Sequence, residues 1–329
     1  MSHRFLIVRL GSLGDIVHAI PTAAALRTHF PDARIDWAVD PRYVEVLNLV
    51  QGLDARVGVD TRSPGVLRTI RDLRSARYDA AIDLQGLLKS AVLARAARAD
   101  RTIGFPREHL RESLARVFYS HTPQTDATHV VFKNLALLEP LGVRDPRVEF
   151  PLDIPRTPAA EQVSAAAGGY ALINPGAAWP NKRWPPARFG ALAAAIRERL
   201  GLRSVVLWGP GEESLASAVV SASSDAARLA PRTSVTDLFA LAKAARLMVS
   251  GDTGPLHIAG AVGTPTVSLF APTNPERNGP WSASDAALSR FAGCSCHYER
   301  RCRRAVPCIN EIVVGDVLAA VERRMLAGG

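Results

Sequence analysis

The strongest constraint on this chain is a recurring order: a short apolar run, a glycine-bearing turn, then a stretch of helical period. Phe5-Leu-Ile-Val-Arg-Leu10 is a run suited to a buried strand. Gly11-Ser-Leu-Gly14 makes the turn, and a helical pattern opens at Asp15 and continues through Leu26, with Pro21 expected to interrupt or kink it. The order repeats with strands predicted at Arg34–Val39, Asp79–Leu84, Tyr170–Ile173, Ser204–Trp208, Arg246–Ser250 and Thr266–Phe270. Helices are predicted at Pro186–Leu200 and at Gly315–Leu326. Strands alternating with helices argue for the α/β class, with parallel sheets covered by helices.

A chain of 329 residues is long enough for two domains, each with its own core. Prolines 140, 146, 151, 155 and 158 punctuate a stretch with little helical period, the best place for a linker. This sets expected domains at 1–155 and 156–329, with the last helix free to pack back on the first.

Lys and Arg exceed Asp and Glu by 40 to 31, so an anionic partner is expected. Aromatic residues are only 6%, and no basic run is interleaved with them, which argues against a nucleic-acid partner. No apolar run reaches membrane-span length, and Arg9 interrupts the first one. A cytoplasmic protein is expected, with peripheral contact to the inner face of a membrane through its basic surface.

Four strand-end turns carry the candidate chemistry. Asp15, after the first strand, reads either as a helix N-cap or as a general base, ionised at neutral pH. Asn174-Pro-Gly through Lys182-Arg-Trp-Pro185 places two cations beside glycine-bearing backbone. They suit a diphosphate leaving group, or form only a solvated loop. Gly251-Asp-Thr-Gly-Pro-Leu-His257 ends a strand and opens a helix. Free N–H groups there could cradle phosphate, Asp252 could accept sugar hydroxyls, and His257 is either a site residue or a core histidine. Glu212 and Glu213 follow a Gly-Pro-Gly turn, where an acid bonds ribose or merely starts a helix. No Asp-x-Asp pair is available to clamp a metal on a diphosphate. Cys294, Cys296, Cys302 and Cys308 crowd into fifteen residues, open to a structural Zn²⁺, to reduced thiols or to disulfides.

These motifs together resemble the ADP-heptose:lipopolysaccharide heptosyltransferases, glycosyltransferase family 9. The resemblance runs through Arg9–Asp15, Asp83-Leu-Gln-Gly through Ser90, Asn174–Pro185 and Gly251–His257, in order along the chain. Tyr78–Ser90 and Arg111-Glu-Ser113 resemble most the branch that adds the first heptose to Kdo, heptosyltransferase I. The resemblance implies a GT-B fold: two Rossmann-like domains whose parallel sheets face a central cleft, the first binding acceptor and the second the nucleotide sugar. It implies inverting transfer from ADP-heptose to the acidic lipopolysaccharide core, with no required cofactor and no metal at the active site. By motif, Asp15 is the base. Lys182, Asp252, Thr253, Gly254 and His257 hold the donor phosphates and sugar, and Glu213 holds the ribose. Lys89, Arg111 and Arg62 are the acceptor candidates. One departure stands out: Ala177-Ala178 occupies the place of a hydroxyl-bearing pair, leaving backbone N–H groups only.

The alternatives are a family 9 enzyme with another donor or acceptor, such as a heptosyltransferase II-like one, and a basic metal-binding adaptor without activity. A nicotinamide oxidoreductase would need the full GxGxxG after the first strand, which is absent.

Overall fold

The computed structural model describes residues 2–327. They form two compact units that divide between Asp153 and Ile154. The first holds β1 (Arg4–Val8), α1 (Leu13–His29), β2 (Arg34–Val39), α2 (Val44–Asn48), β3 (Ala55–Gly58) and α3 (Val66–Ser75). It continues with β4 (Ala80–Asp83), α4 (Leu88–Ala96), β5 (Arg101–Ile103) and α5 (Val130–Ala136). Its five strands run parallel in the order β3-β2-β1-β4-β5. Leu6 and Val8 share a core cluster with Leu73 of α3 and Leu93 of α4. By strand alternation, Phe5 and Ile7 point to the opposite face.

Two local expectations change. α1 starts at Leu13, with Ser12 as its N-cap, so Asp15 is the third helical residue and not the cap. The Gly14 peptide is therefore inside the helix. α1 also continues through Pro21 to His29. Twelve of its seventeen residues are buried, and that packing outweighs the roughly 3 kcal/mol that an internal proline costs.

The second unit holds α6 (Pro158–Ala167), β6 (Tyr170–Asn174), α7 (Pro186–Leu200), β7 (Arg203–Val206), α8 (Glu213–Ser221) and β8 (Ala227–Leu229). It continues with α9 (Val235–Ala244), β9 (Leu247–Gly251), α10 (Gly254–Ala261), β10 (Thr266–Phe270), α11 (Pro275–Asn278), β11 (Ala286–Ser289) and α12 (Val314–Leu326). Six parallel strands run in the order β11-β10-β9-β6-β7-β8. The final helix, α12, lies on α7, β10 and β11 of this unit and buries Val317, Ala320 and Val321 in its core.

Both sheets have the doubly wound order, and each reverses direction at one point. In the first unit the reversal falls between β1 and β4. In the second it falls between β6 and β9. Open α/β sheets bind ligands at the carboxyl ends of the strands flanking this point. The turn bearing Asp15 follows β1. The turn bearing Lys182 follows β6, and that bearing Asp252 follows β9.

Gly190 sets how closely α7 approaches α8. A Cβ there would lie 2.5 Å from Cβ of Ala222 and 2.6 Å from its carbonyl carbon. Gly190→Ala is expected to destabilise the protein by roughly 1–3 kcal/mol through overpacking. A urea denaturation midpoint equal to wild type would show that the two helices can part freely.

Candidate active site

In the second unit, the loops after β6 and β9 meet at the reversal point. Asn174, the last residue of β6, is buried, and its Nδ2 reaches three oxygens. It donates to Thr253 Oγ1 at 2.9 Å, Ser250 Oγ at 3.1 Å and the Gly176 carbonyl at 3.2 Å. One carboxamide thus clamps both loops. In the sequence, Asn174 is only the start of a motif.

Across this clamp, Lys182 Nζ lies 2.5 Å from Asp252 Oδ2 and 4.6 Å from the centroid of the Trp179 ring. His257 Nε2 lies 3.3 Å from Asp252 Oδ1, and Thr273 donates to Oδ2 at 2.7 Å. Burial pushes the Asp252 carboxyl up. The hydrogen bond from His257 and the charge of Lys182 outweigh it and hold the group well below the usual carboxylate range. Both Asp252 oxygens are therefore committed to protein groups, where the sequence suggested an acceptor of sugar hydroxyls. Its work here is to fix a lysine and a histidine on one spot. Thr273, which completes the set, lies beyond β10 and carried no sequence signal.

Thr253 is the N-cap of α10, with its hydroxyl turned inward to Asn174 and Ser250. Gly254 and Pro255 open the helix. Its first N–H groups have no partner within the helix, so this end suits an anion.

The two glutamates separate. Glu213 starts α8 and is exposed. Glu212 turns back over the β6 and β7 loops. It accepts from Gly209 N–H at 3.2 Å and lies 3.9 Å from Arg183 Nη2. A methyl on Gly176 would collide with its carboxylate. Glu212 is thus the acid beside the lysine loop, one residue before the position expected.

In the first unit, Asp15 is half-buried. Arg9 Nη2 lies 2.7 Å from its Oδ1. Its Oδ2 accepts from Ser12 N–H at 3.0 Å and Ser12 Oγ at 2.9 Å. Burial pushes the carboxyl up, but Arg9 and the Ser12 bonds bring the net value below the ordinary one. Arg9 is itself buried and donates to the Leu84 carbonyl, which ties the β1 turn to the β4 turn. In the sequence, Arg9 marked only a break in an apolar run.

Asp83 is the anchor of the Asp83-Leu-Gln-Gly motif. It accepts from Tyr119 Oη at 2.7 Å, Ser90 Oγ at 2.9 Å and Gln85 N–H at 2.8 Å. Burial raises its pKa. Gln85 Oε1 accepts from Leu10 N–H at 2.8 Å. Lys89 on α4, Arg62 after β3 and Arg111 after β5 are all exposed. Because the sheet is parallel, the segments carrying them start at the same rim as Asp15.

The glycosyltransferase family 9 (heptosyltransferase) description matches residues 66–306. The chain belongs to that family. It is 30% identical to lipopolysaccharide heptosyltransferase 1 of Pseudomonas aeruginosa over 91% of this chain and 87% of that protein. It is 28% identical to lipopolysaccharide heptosyltransferase 3 of Escherichia coli K12, covering 94% of each. It superposes on E. coli heptosyltransferase WaaC with ADP with a TM-score of 0.77, at 23% identity, covering 98% of this chain and 99% of that one. The fold is GT-B, and the chain is a glycosyltransferase. The oxidoreductase and adaptor readings are thereby set aside.

The four cysteines of this family 9 transferase are unbridged. Cys294, Cys296 and Cys308 are buried in the second unit's core with Trp184 and Ile309. Cys296 Sγ lies 3.3 Å from Cys302 Sγ. Among the described residues, no three His, Cys, Asp or Glu side chains are arranged to hold a metal ion. Among the described residues no helix is long and apolar enough to cross a membrane.

The depressed carboxylates give this transferase an acid limit. Asp252 and Asp15 fold with pKa values below the unfolded value of ~3.9, so the unfolded chain takes up protons first as pH falls. Their stabilisation is complete above about pH 5 and is lost as pH drops through ~4 toward the folded values. Urea midpoints between about pH 5 and pH 3 should therefore fall more steeply for wild type than for Asp252→Asn. Parallel curves would show that Asp252 has no part in the acid transition.

Proposed function

We propose that this chain transfers heptose from ADP-heptose to the Kdo-bearing inner core of lipopolysaccharide, on the cytoplasmic face of the inner membrane. The observation that carries this reading is the Lys182–Asp252–His257 cluster at the β6/β9 reversal point, in a chain that belongs to family 9. In this reading the second unit takes the donor and the first takes the acceptor. The donor diphosphate sits on the α10 N-terminus and Lys182, with Thr253 and Gly254 at the helix end. Asp252 keeps Lys182 and His257 in place. Glu212 holds the ribose, in preference to Glu213. Arg62, Lys89 and Arg111 meet acidic groups of the acceptor.

The reaction is then a single displacement. An acceptor hydroxyl gives its proton to Asp15 and attacks the anomeric carbon. ADP leaves from the opposite face, so the configuration inverts. Lys182 and the helix end carry the charge that grows on the leaving phosphate, the work a divalent ion performs in other glycosyltransferases.

The test is ADP release from ADP-heptose with a Kdo-lipid acceptor, before and after chelation with EDTA. Turnover that needs both substrates and survives EDTA is expected. No ADP release with any core acceptor would end the reading. The kinship to a heptosyltransferase 3 favours one competing reading, transfer to another lipopolysaccharide-core acceptor. Preference for that acceptor in the same assay would select it. Glu212→Gln should raise the donor Kd about 10-fold or more, and Glu213→Gln should change it less than about 2-fold. Calorimetry with ADP decides, and the reverse pattern would return the ribose to Glu213.

A further inference from the structure

We infer that the α3–α4 layer of the first unit docks on an anionic lipid bilayer. The inference deepens the proposed function and rests on it for the identity of a lipid-borne acceptor.

Eleven large apolar side chains are exposed among the described residues, and five of them, Leu67, Leu88, Val92, Leu114 and Val117, belong to this layer, at 39% to 73% exposure. They are not failed core positions. α3 and α4 already bury Leu73, Leu93 and Ala94 in the core of the sheet, so the exposed residues face away from it. Leu88 and Val92 are four apart on one face of α4. Leu114 and Val117 are three apart in the 3₁₀ turn Ser113–Phe118, where such positions eclipse. The turn and α4 are packed together through Ala91, Ala115 and Tyr119, and Leu88 N–H donates to Glu112 at 2.7 Å. Arg74 Nε donates to the Ala96 carbonyl at 2.8 Å, which holds α3 beside α4.

Charge selects the occupant. Residues 61–120 hold twelve Lys and Arg against six Asp and Glu, so most of the chain's net +9 lies in under a fifth of its length. Among the described residues, Arg62, Arg68, Arg71, Lys89, Arg95 and Arg111 make no ion pair. A second copy would set like charges against each other. Nucleic acid would pair the arginines and leave the leucines and valines in water. An anionic bilayer satisfies both, with phosphates on the arginines and the acyl boundary taking the aliphatic tips. Docked this way, the segments bearing Lys89 and Arg111 come to headgroup level.

The experiment is flotation of the full chain with vesicles of phosphatidylcholine, with and without phosphatidylglycerol. Wild type should float with the anionic vesicles only and be released by salt. Leu114→Ser/Val117→Ser should lower the partition coefficient about 10- to 100-fold. Leu67→Ser is the second variant, and unchanged circular dichroism confirms that each is folded. ADP release with a delipidated Kdo acceptor should be unchanged in both variants. Equal binding of wild type and folded variants, equal binding to neutral vesicles, or a dimer that these substitutions dissociate would overturn the inference. Absent ADP release with patch-dependent flotation would instead remove the proposed reaction and leave the docking surface standing.

Discussion

Asp15→Asn is expected to lower kcat by ~10²–10⁴ while donor affinity stays near wild type. Asparagine keeps a side-chain oxygen for Ser12 and loses the site that accepts a proton. It also leaves the buried Arg9 without its counter-ion, since Arg9 Nη2 lies 2.7 Å from the Asp15 carboxylate. A stability loss of about 1–3 kcal/mol should accompany the kinetic one. The two are separable: turnover is measured well below the melting transition, and under the proposed function ADP affinity reports the second unit. The Arg9 contact has its own kinetic signature. A carboxylate held below its ordinary pKa stays ionised in mildly acid solution, so the acid limb of kcat/KM due to this group lies below about pH 4. Wild-type turnover in Asp15→Asn would remove this residue as the base.

Lys182→Ala should cost ~10²–10³ in kcat/KM for the donor. The lysine lies against a carboxylate whose oxygens are both engaged, so its removal withdraws a cation from the anion site and leaves Asp252 to His257 and Thr273. Lys182→Ala/Asp252→Asn should be less impaired than the product of the two single losses, because the second change removes the carboxylate that the first leaves short of a partner. Stopped-time ADP release and calorimetry with ADP measure both terms. Unchanged donor affinity and turnover in Lys182→Ala would contradict its role.

The sheet strands near the reversal points were legible because they are continuous apolar runs, fully buried and closed by glycine or proline. Thr266–Phe270 and Pro186–Leu200 have the bounds their sequence suggests. β3, β5, β8 and β11 were not legible. Each is three or four residues long, and all lie at or next to a sheet edge with exposed or half-exposed positions, so none shows an apolar run. The site was legible as motifs but not as wiring. Asp252 and Lys182 were both visible, yet their pairing joins positions seventy residues apart and depends on β6 lying beside β9. Arg9 was hidden because a charge inside a strand run has no periodic signature, and its partner is set by how α1 starts. Ser12 displaced Asp15 from the cap because its backbone, not its side chain, makes the turn.

Asn174 makes two loops into one mechanical part. Any displacement of the β6 loop is passed through the Asn174 bonds to Ser250 and to Thr253, the N-cap of α10, so the two loops cannot drift apart independently. Under the proposed function, a diphosphate meets contacts already at their final spacing and spends little of its binding free energy on immobilising them. Selectivity among phosphate esters then follows from a fixed ruler between two points, which a pair of freely moving loops could not supply.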